Sequence, residues 1–163
     1  MKKLAIILFL LAIILCVAAC ESKTTPDGPA EPVNIGEWKV AVVTSGGEKE
    51  FTSADAVKLA PFVNLEATTK NKEGELSASK YTGVKLSDIL DHVGVTDFSS
   101  LTIEASDGFA AEYDKELAMK SDTILAWEKD GKLLEGNYPI QMVPTSGTGN
   151  QFIKMTARII VND

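Results

Sequence analysis

The pattern of apolar and polar positions divides the chain into three stretches. Residues 4–19 are apolar without interruption, residues 21–34 are almost entirely polar with three prolines, and the remainder mixes alternating runs with short helical patterns. Alternation with a period of two predicts strands, whereas apolar residues three and four positions apart predict an amphipathic helix. The folded domain is therefore expected in the third stretch, residues 36–163.

Short apolar or alternating runs bounded by turn residues predict the strands of this domain. They cover residues 38–43, 49–51, 62–68, 101–105, 109–113, 123–128, 132–134, 138–143 and 157–161. Between two pairs of these runs, Asp107-Gly108 and Asp130-Gly131 are typical of β-hairpin turns. The domain is therefore expected to consist mainly of strands.

Two segments carry the signals of short helices. Thr52, followed three residues later by Asp55, predicts the capped start of a helix that runs through Leu59. A second helix is predicted from Val84 to Gly94, because its apolar residues recur at helical spacing and a glycine ends them. Strands joined by turns instead of regular helical crossovers favour an α+β domain with a mixed or antiparallel sheet and short helices.

The apolar stretch at the start has the features of a lipoprotein signal peptide. Lys2 and Lys3 precede it, and Val17-Ala18-Ala19-Cys20 ends it with the small-residue pattern of a bacterial lipobox. A charged start, an apolar core and a small-residue cleavage site together indicate secretion. Residues 1–19 are therefore predicted to be removed, which leaves Cys20 to carry a diacylglyceryl group and a fatty acyl chain such as palmitate.

A transmembrane anchor is the alternative interpretation of the same stretch. Its sixteen apolar residues would span about 24 Å as a helix, less than the roughly 30 Å of a hydrocarbon core. Glu21 follows, without the basic cluster of a stop-transfer signal. The lipid anchor is favoured, and we expect the protein at the extracytoplasmic face of the cell membrane.

Composition narrows the classes of partner. Residues 20–35 form the expected lipid-anchored flexible linker, and residues 36–163 suffice for a single domain. Two of the 16 basic residues lie in the leader, so 14 remain against 23 acidic residues, a net charge of −9. This charge repels nucleic acid, and no nucleic-acid partner is expected.

Both cysteines, Cys16 and Cys20, precede the domain, which therefore contains no thiol.

Five stretches follow one another in the order and spacing of a known family. They are Tyr81–Leu90, Ser106–Phe109, Thr123–Leu134, Tyr138–Pro144 and Gly149–Val161. Together they resemble the molybdopterin-binding domain of the sulfite oxidase family, including its bacterial reductase-like members, over roughly residues 36–161. The resemblance implies a mixed α+β fold that holds a molybdenum–pterin cofactor.

The resemblance also implies a metal-bound cysteine thiolate at the end of an early strand, with basic residues and backbone amides around the pterin phosphate. The strand in question is Val63–Thr69, and it contains no cysteine. Thiolate is a suitable soft ligand for molybdenum, and neither Thr68 nor Thr69 replaces it. The one arginine, Arg158, lies in the terminal strand, and Lys154 matches the family's basic position before it. No catalytic residue and no metal site is assigned, and molybdopterin is implied by the resemblance alone.

The loop after the strand at 138–143 contains hydroxyls, glycines and free backbone amides, the ingredients of an anion-binding nest. By resemblance, it lies where the fold approaches its cofactor. It is not a Walker loop, because no Gly-Lys-Ser/Thr follows, and a polar surface loop is the simpler interpretation. The ligand-binding candidates are Thr145, Ser146, Thr148, Gly149, Asn150 and Lys154.

The second predicted helix offers a weaker metal hypothesis. Asp88, Asp91 and His92 lie at positions i, i+3 and i+4 and could share one face. The same spacing is typical of a solvated face opposite an apolar one. His92 is the single histidine, and neither a nucleophile elbow nor a haem-attachment motif accompanies it.

Two functions from different classes remain. The first is a cofactor-free binding or interaction module, whose partner is a small-molecule ligand or a membrane protein complex. The second is an oxidoreductase of sulfite oxidase type that retains an unusual pterin or redox cofactor without a cysteine ligand. The missing thiol and the scarcity of arginine favour the first.

The lipid anchor is testable in cells. We expect Cys20→Ser to abolish incorporation of labelled palmitate and to leave the protein unprocessed or released, because serine has no thiol for the diacylglyceryl thioether. Cys16→Ser is the matched control and should keep full labelling, since Cys16 lies inside the apolar run. Unchanged labelling of the Cys20 variant would contradict the assignment.

Overall fold

The computed structural model describes residues 33–59, 63–70 and 74–163. The predicted leader, residues 1–19, and residues 20–32 of the predicted linker lie outside the described residues. Val33–Asp163 is one compact unit.

Strands dominate the described residues, as the sequence pattern predicts. They are β1 (Lys39–Thr44), β2 (Gly47–Thr52), β3 (Val63–Lys70), β4 (Leu76–Lys85), β5 (Ser100–Ala105), β6 (Ala110–Asp114), β7 (Thr123–Lys129), β8 (Lys132–Leu133), β9 (Gln141–Pro144), β10 (Ile153–Lys154) and β11 (Thr156–Asn162). The helices are α1 (Ser53–Lys58), α2 (Leu86–Val93) and α3 (Lys115–Met119), with a 3-10 turn at Gly149–Gln151.

These strands form two sheets. The first sheet has the order β2-β1-β11-β5-β6. In it, β1 pairs with β11 in parallel, and the other neighbours are antiparallel. The second sheet has the order β10-β9-β7-β4-β3, with the short β8 paired to β7, and all its pairings are antiparallel. The α+β class with mixed and antiparallel sheets is confirmed.

The main core contains side chains from both sheets and from α2. Trp38, just before β1, stacks on Trp127 of β7 with ring centres 6.1 Å apart, and it also contacts Phe51 at 6.2 Å. Aromatic pairs of this kind contribute about 0.5–1.5 kcal/mol beyond the burial of their area. The predicted apolar face of α2 lies in the same core, formed by Leu86, Ile89, Leu90 and Val93.

A second, smaller apolar cluster lies on the other face of the second sheet. Successive residues of a strand point to opposite faces, so Leu125 of β7 joins the main core while Ile124 and Ala126 join the second cluster. The remaining buried members of the second cluster are Ala67, Tyr81 and Val143. β7 is therefore buried on both faces, which explains its nearly continuous apolar sequence.

Local signals in the sequence explain the helix ends. At α1, the Thr52 hydroxyl accepts a hydrogen bond from the Asp55 backbone N–H (3.3 Å), and the Asp55 carboxylate accepts one from the Thr52 N–H (3.2 Å), which is the predicted capping arrangement. α2 ends at Gly94, whose φ of 78° is left-handed and suits glycine. α3 was not predicted; the Asp114 carboxylate caps it by accepting from the Leu117 N–H at 2.7 Å.

One long strand was missed, and some predicted boundaries were wrong. β4 has no counterpart among the predicted strands, because its first half is mostly exposed and pairs only with β3. β4 continues through Lys85, so α2 begins two residues later than predicted. The strand predicted at 138–143 begins at Gln141, two residues after Pro139, which has no N–H to give to a ladder.

None of the helices among the described residues combines the length and apolarity needed to cross a membrane.

The contact between β4 and β7 is testable at Gly83. A Cβ added there would lie 2.3 Å from the Leu125 carbonyl oxygen, so we expect Gly83→Ala to lower the free energy of unfolding by about 1–3 kcal/mol in urea titrations. Gly149→Ala is the control, because its Cβ would meet no heavy atom within 4 Å, and its effect should stay within about 0.5 kcal/mol. Equal stability of the two variants would contradict this packing.

Candidate functional site

The predicted loop connects β9 to β10 at the edge of the second sheet. The loop begins with a tight turn after Pro144, in which the Gly147 N–H donates to the Pro144 carbonyl at 2.9 Å. A Cβ at Gly147 would lie 2.8 Å from the Pro144 ring and 2.9 Å from Gln151 Oε1, so the turn requires a glycine. The strand register places Pro144 opposite Thr123, and the loop therefore lies beside the start of β7.

Two candidate hydroxyls bind a carboxylate of the chain itself. The Thr145 hydroxyl donates to Asp122 Oδ2 at 2.5 Å, and the Ser146 hydroxyl donates to the same oxygen. The Thr145 backbone N–H donates to the Asp122 carbonyl at 3.1 Å. A negative charge at this position repels an anionic ligand, so the Asp122 contacts hold the loop in place and do not prepare it for a phosphate.

The hydroxyl contacts also set the charge state of Asp122. Burial by itself raises the pKa of this carboxyl, but the hydrogen bonds from Ser146 and Thr145 stabilise the carboxylate, and the net pKa lies below the ordinary 3.8. The other carboxylate oxygen, Oδ1, is buried and has no hydrogen-bond partner in the described part of the chain.

Thr148 and Asn150 belong to a separate set of contacts around Gln151. The Thr148 hydroxyl donates to the Asn150 side-chain oxygen, and the Thr148 N–H donates to Gln151 Oε1 at 2.8 Å. Gln151 then reaches β6, where its Nε2 donates to the Glu112 carbonyl at 3.0 Å. The hydroxyl of Tyr113, also on β6, donates to the Gln151 carbonyl. Gly149 opens the 3-10 turn within this set.

Gln151 was missed by the sequence analysis, although it ties the loop to the first sheet. The Thr148-x-x-Gln151 spacing is the local signal of a capping box and could have indicated the contact between these two residues. The contacts of Gln151 with β6 carry no local signal, because that strand lies 38 residues earlier in the chain. Tyr113 gives a partial signal as a polar-tipped aromatic in a strand. Its burial raises the pKa of its hydroxyl far above the ordinary 10.0 and keeps it a hydrogen-bond donor.

Lys154 lies apart from the hydroxyls. It pairs with Gln141 across β10 and β9, and its side chain is at a cavity of about 270 Å³ near the end of β7. We call this the lysine cavity, and it is lined by Lys129, Leu134, Tyr138, Ile140, Gln141 and Lys154. The structure therefore divides the six predicted residues into three groups instead of one shared site.

The donor groups of the described residues do not fit a molybdenum–pterin cofactor. On β3, the strand from which the resemblance implies a thiolate, Ala67 is buried in the second apolar cluster, and the Thr69 hydroxyl is 3.4 Å from the Ser77 carbonyl. The guanidinium of Arg158 lies 3.3 Å from the Glu104 carboxylate on the outer face of the first sheet. No cysteine thiolate and no unpaired guanidinium is therefore offered by the part of the chain that the structure describes.

The helical trio does not assemble either. The His92 ring packs edge-on against Phe51, with ring centres 5.6 Å apart, and its Nε2 is 3.9 Å from Asp55 Oδ1. The Thr52 hydroxyl and Lys58 lower the pKa of Asp55 to about 2, so that carboxylate is ionised at neutral pH. Within residues 33–59, 63–70 and 74–163, no group of three or more His, Cys, Asp or Glu side chains is placed to hold a metal ion.

Comparison with known proteins identifies the family. Residues 32–163 match the family described as Oxidoreductase molybdopterin binding domain, and the chain belongs to it. No curated protein matches the chain. The resemblance to the molybdopterin-binding domain of sulfite oxidase-like proteins is thereby confirmed.

Among solved structures, the chain is similar to the sulfane dehydrogenase SoxCD from Paracoccus pantotrophus. The two share 20% sequence identity with a TM-score of 0.67, over 77% of this chain and 38% of that chain. This protein thus corresponds to well under half of the SoxCD chain. At this level of identity, the similarity concerns the fold.

The role of Asp122 is testable through the pH dependence of stability. Because its pKa is lowered in the folded state, the carboxylate stabilises the fold at pH values above about 4, and this contribution is lost as the pH falls through the native pKa. We expect Asp122→Asn to cost about 1 kcal/mol at pH 7 and progressively less below pH 4, as measured by thermal unfolding. Asp91→Asn, at an exposed position of α2, is the control and should change neither the stability at pH 7 nor its dependence on pH. If the Asp122 variant were less stable by the same amount at every pH, the charge of Asp122 would not contribute to stability.

Proposed function

We propose that this protein is a lipoprotein anchored at the extracytoplasmic face of the cell membrane, whose molybdopterin-binding-like domain is a non-catalytic module for binding a small ligand or a membrane protein complex. The donor chemistry of the domain is the observation that carries the proposal. The described residues contain no cysteine, so they offer no thiolate ligand for a heavy redox metal such as the family's molybdenum.

Two further observations support a binding role. The loop hydroxyls that could surround an anionic cofactor are bound to Asp122 and Asn150. On β3, Ala67 packs among apolar side chains. Both arrangements are contacts within the domain, and they support a role that needs no cofactor.

The membrane location rests on the sequence. A lipobox ending in Cys20 follows a charged and apolar leader, and a proline-containing polar stretch separates it from the domain. A domain attached in this way samples the membrane surface, where both a soluble ligand and a neighbouring membrane protein are accessible.

Metal analysis of the purified protein tests the proposal. The full chain is expressed in a host that makes molybdenum cofactor, purified in detergent, and measured for molybdenum by mass spectrometry and for pterin by fluorescence after acid release. We expect neither above the level of the same chain from a host unable to make the cofactor. A sulfite oxidase-type enzyme prepared in parallel controls for cofactor supply.

Stoichiometric molybdenum or pterin would overturn the proposal. That result would favour the alternative, an oxidoreductase that holds an unusual pterin or redox cofactor without a cysteine ligand. Cross-linking in intact cells would identify a membrane partner, and a neighbour that disappears in the Cys20→Ser strain would support the interaction role.

A further inference from the structure

The lysine cavity is lined by an amide that has no hydrogen-bond partner among the described residues. Gln141 is 6% exposed and lines the cavity. Its carboxamide forms no hydrogen bond within the described residues, although its neighbours Met142 and Ile140 lie in the packed core. The amide atoms are not among the fully buried unpaired polar atoms of the described residues, so they face the open space of the cavity. A ligand in the cavity with both a donor and an acceptor would pair with them.

Neither ammonium group of the lysine cavity has a carboxylate partner among the described residues. Lys129 and Lys154 come from β7 and β10, and no carboxylate of residues 33–59, 63–70 or 74–163 lies within 4.0 Å of either. The Lys129 Nζ lies 5.7 Å from the centre of the Tyr81 ring, which holds the side chain over the sheet. In a chain of net charge −7, two cations at one cavity with no carboxylate partner among the described residues attract an anion.

The remaining walls are apolar. Ile140 is buried, Leu134 is half-buried, and Tyr138 keeps 49% of its surface exposed although it is a large aromatic residue. The volume of about 270 Å³ is just below the roughly 300–1,000 Å³ usual for small-molecule sites. An occupant therefore has a compact apolar or aromatic body as well as its charge.

Two other cavities are less suited to an anion. One, of about 390 Å³, has Glu48 and Glu50 on its rim, and Glu50 already pairs with Lys39 at 2.5 Å. The other, of about 440 Å³, contains Glu66 and Glu128. Carboxylates at both sites disfavour a negative ligand, so the lysine cavity is distinguished by its charge.

We propose that the lysine cavity binds a small organic anion, namely a carboxylate, sulfonate or phosphate monoester attached to an aromatic or short aliphatic group. The charged end lies between Lys129 and Lys154, the Gln141 carboxamide donates to it or accepts from an adjacent hydroxyl, and the apolar body packs on Tyr138 and Leu134. This assignment rests on the proposed binding role and names its ligand class.

Ligand-observed NMR with phenyl phosphate tests the assignment on the full chain in detergent. We expect saturable binding of phenyl phosphate. Inorganic phosphate, which carries only the charge, and benzyl alcohol, which carries only the aromatic ring, should each bind more weakly. Lys129→Gln and Lys154→Gln should each weaken binding about fivefold. Lys132→Gln, an exposed lysine on the adjacent hairpin that does not line the cavity, is the matched control and should bind as the unaltered chain does.

A second variant separates binding from folding. Gln141→Leu removes the unpaired amide at similar volume, so we expect unchanged or higher thermal stability together with weaker phenyl phosphate binding. No saturable binding to the unaltered chain, or equal loss in the Lys132 variant, would overturn the assignment. Loss of stability in Gln141→Leu would do the same, since it would show that the amide serves the fold. Molybdenum content tests the non-catalytic role independently, so failure of one proposal is distinguishable from failure of the other.

Discussion

Burial of β7 on both faces is the constraint on which the rest of this structure depends. One face carries Leu125 and Trp127 into the main core, where Trp127 stacks on Trp38 and links the two sheets. The other face carries Ile124 and Ala126 into the second cluster. The neighbouring β4 approaches this strand closely at Gly83, next to a register shift between Thr82 and Gly83, where a Cβ would lie 2.3 Å from the Leu125 carbonyl oxygen.

The same strand also separates the β9–β10 loop from the lysine cavity. Asp122, which holds the β9–β10 loop, immediately precedes β7, and Lys129 of the lysine cavity ends it. Seven residue steps at roughly 3.3 Å place these two residues about 23 Å apart. The loop hydroxyls that contact Asp122 and the Lys154 side chain, although close in sequence, therefore lie at different ends of β7. A single cofactor-sized site does not include them all.

The family fold is present in this chain, whose described residues contain no cysteine. In a β domain the backbone ladders and the apolar core carry the stability. The polar side chains of Arg158 and Asp122 have partners that belong to the domain itself. The resulting scaffold keeps exposed loops and cavities in which binding properties can change independently of the core.

Much of the fold was predictable from local chemistry. The Thr52–Asp55 cap, the apolar face of α2 and the Asp130-Gly131 turn, whose two residues both have positive φ, act over a few residues and are visible in the sequence. β4 and α3 were not, because a polar strand is stabilised by its neighbours and a one-turn helix by its cap. The hydroxyl-rich loop was correctly located as a polar turn, but its partners could not be foreseen.

The sequence by itself determined the α+β class, the absence of thiol from the domain and the family, because composition and ordered short patterns are properties of the chain alone. Only the tertiary structure decided which polar groups meet. Asp122 lies 24 residues from Ser146, and Lys129 lies 25 residues from Lys154. Such pairings depend on strand register, and register is determined by how the two faces of β7 are packed.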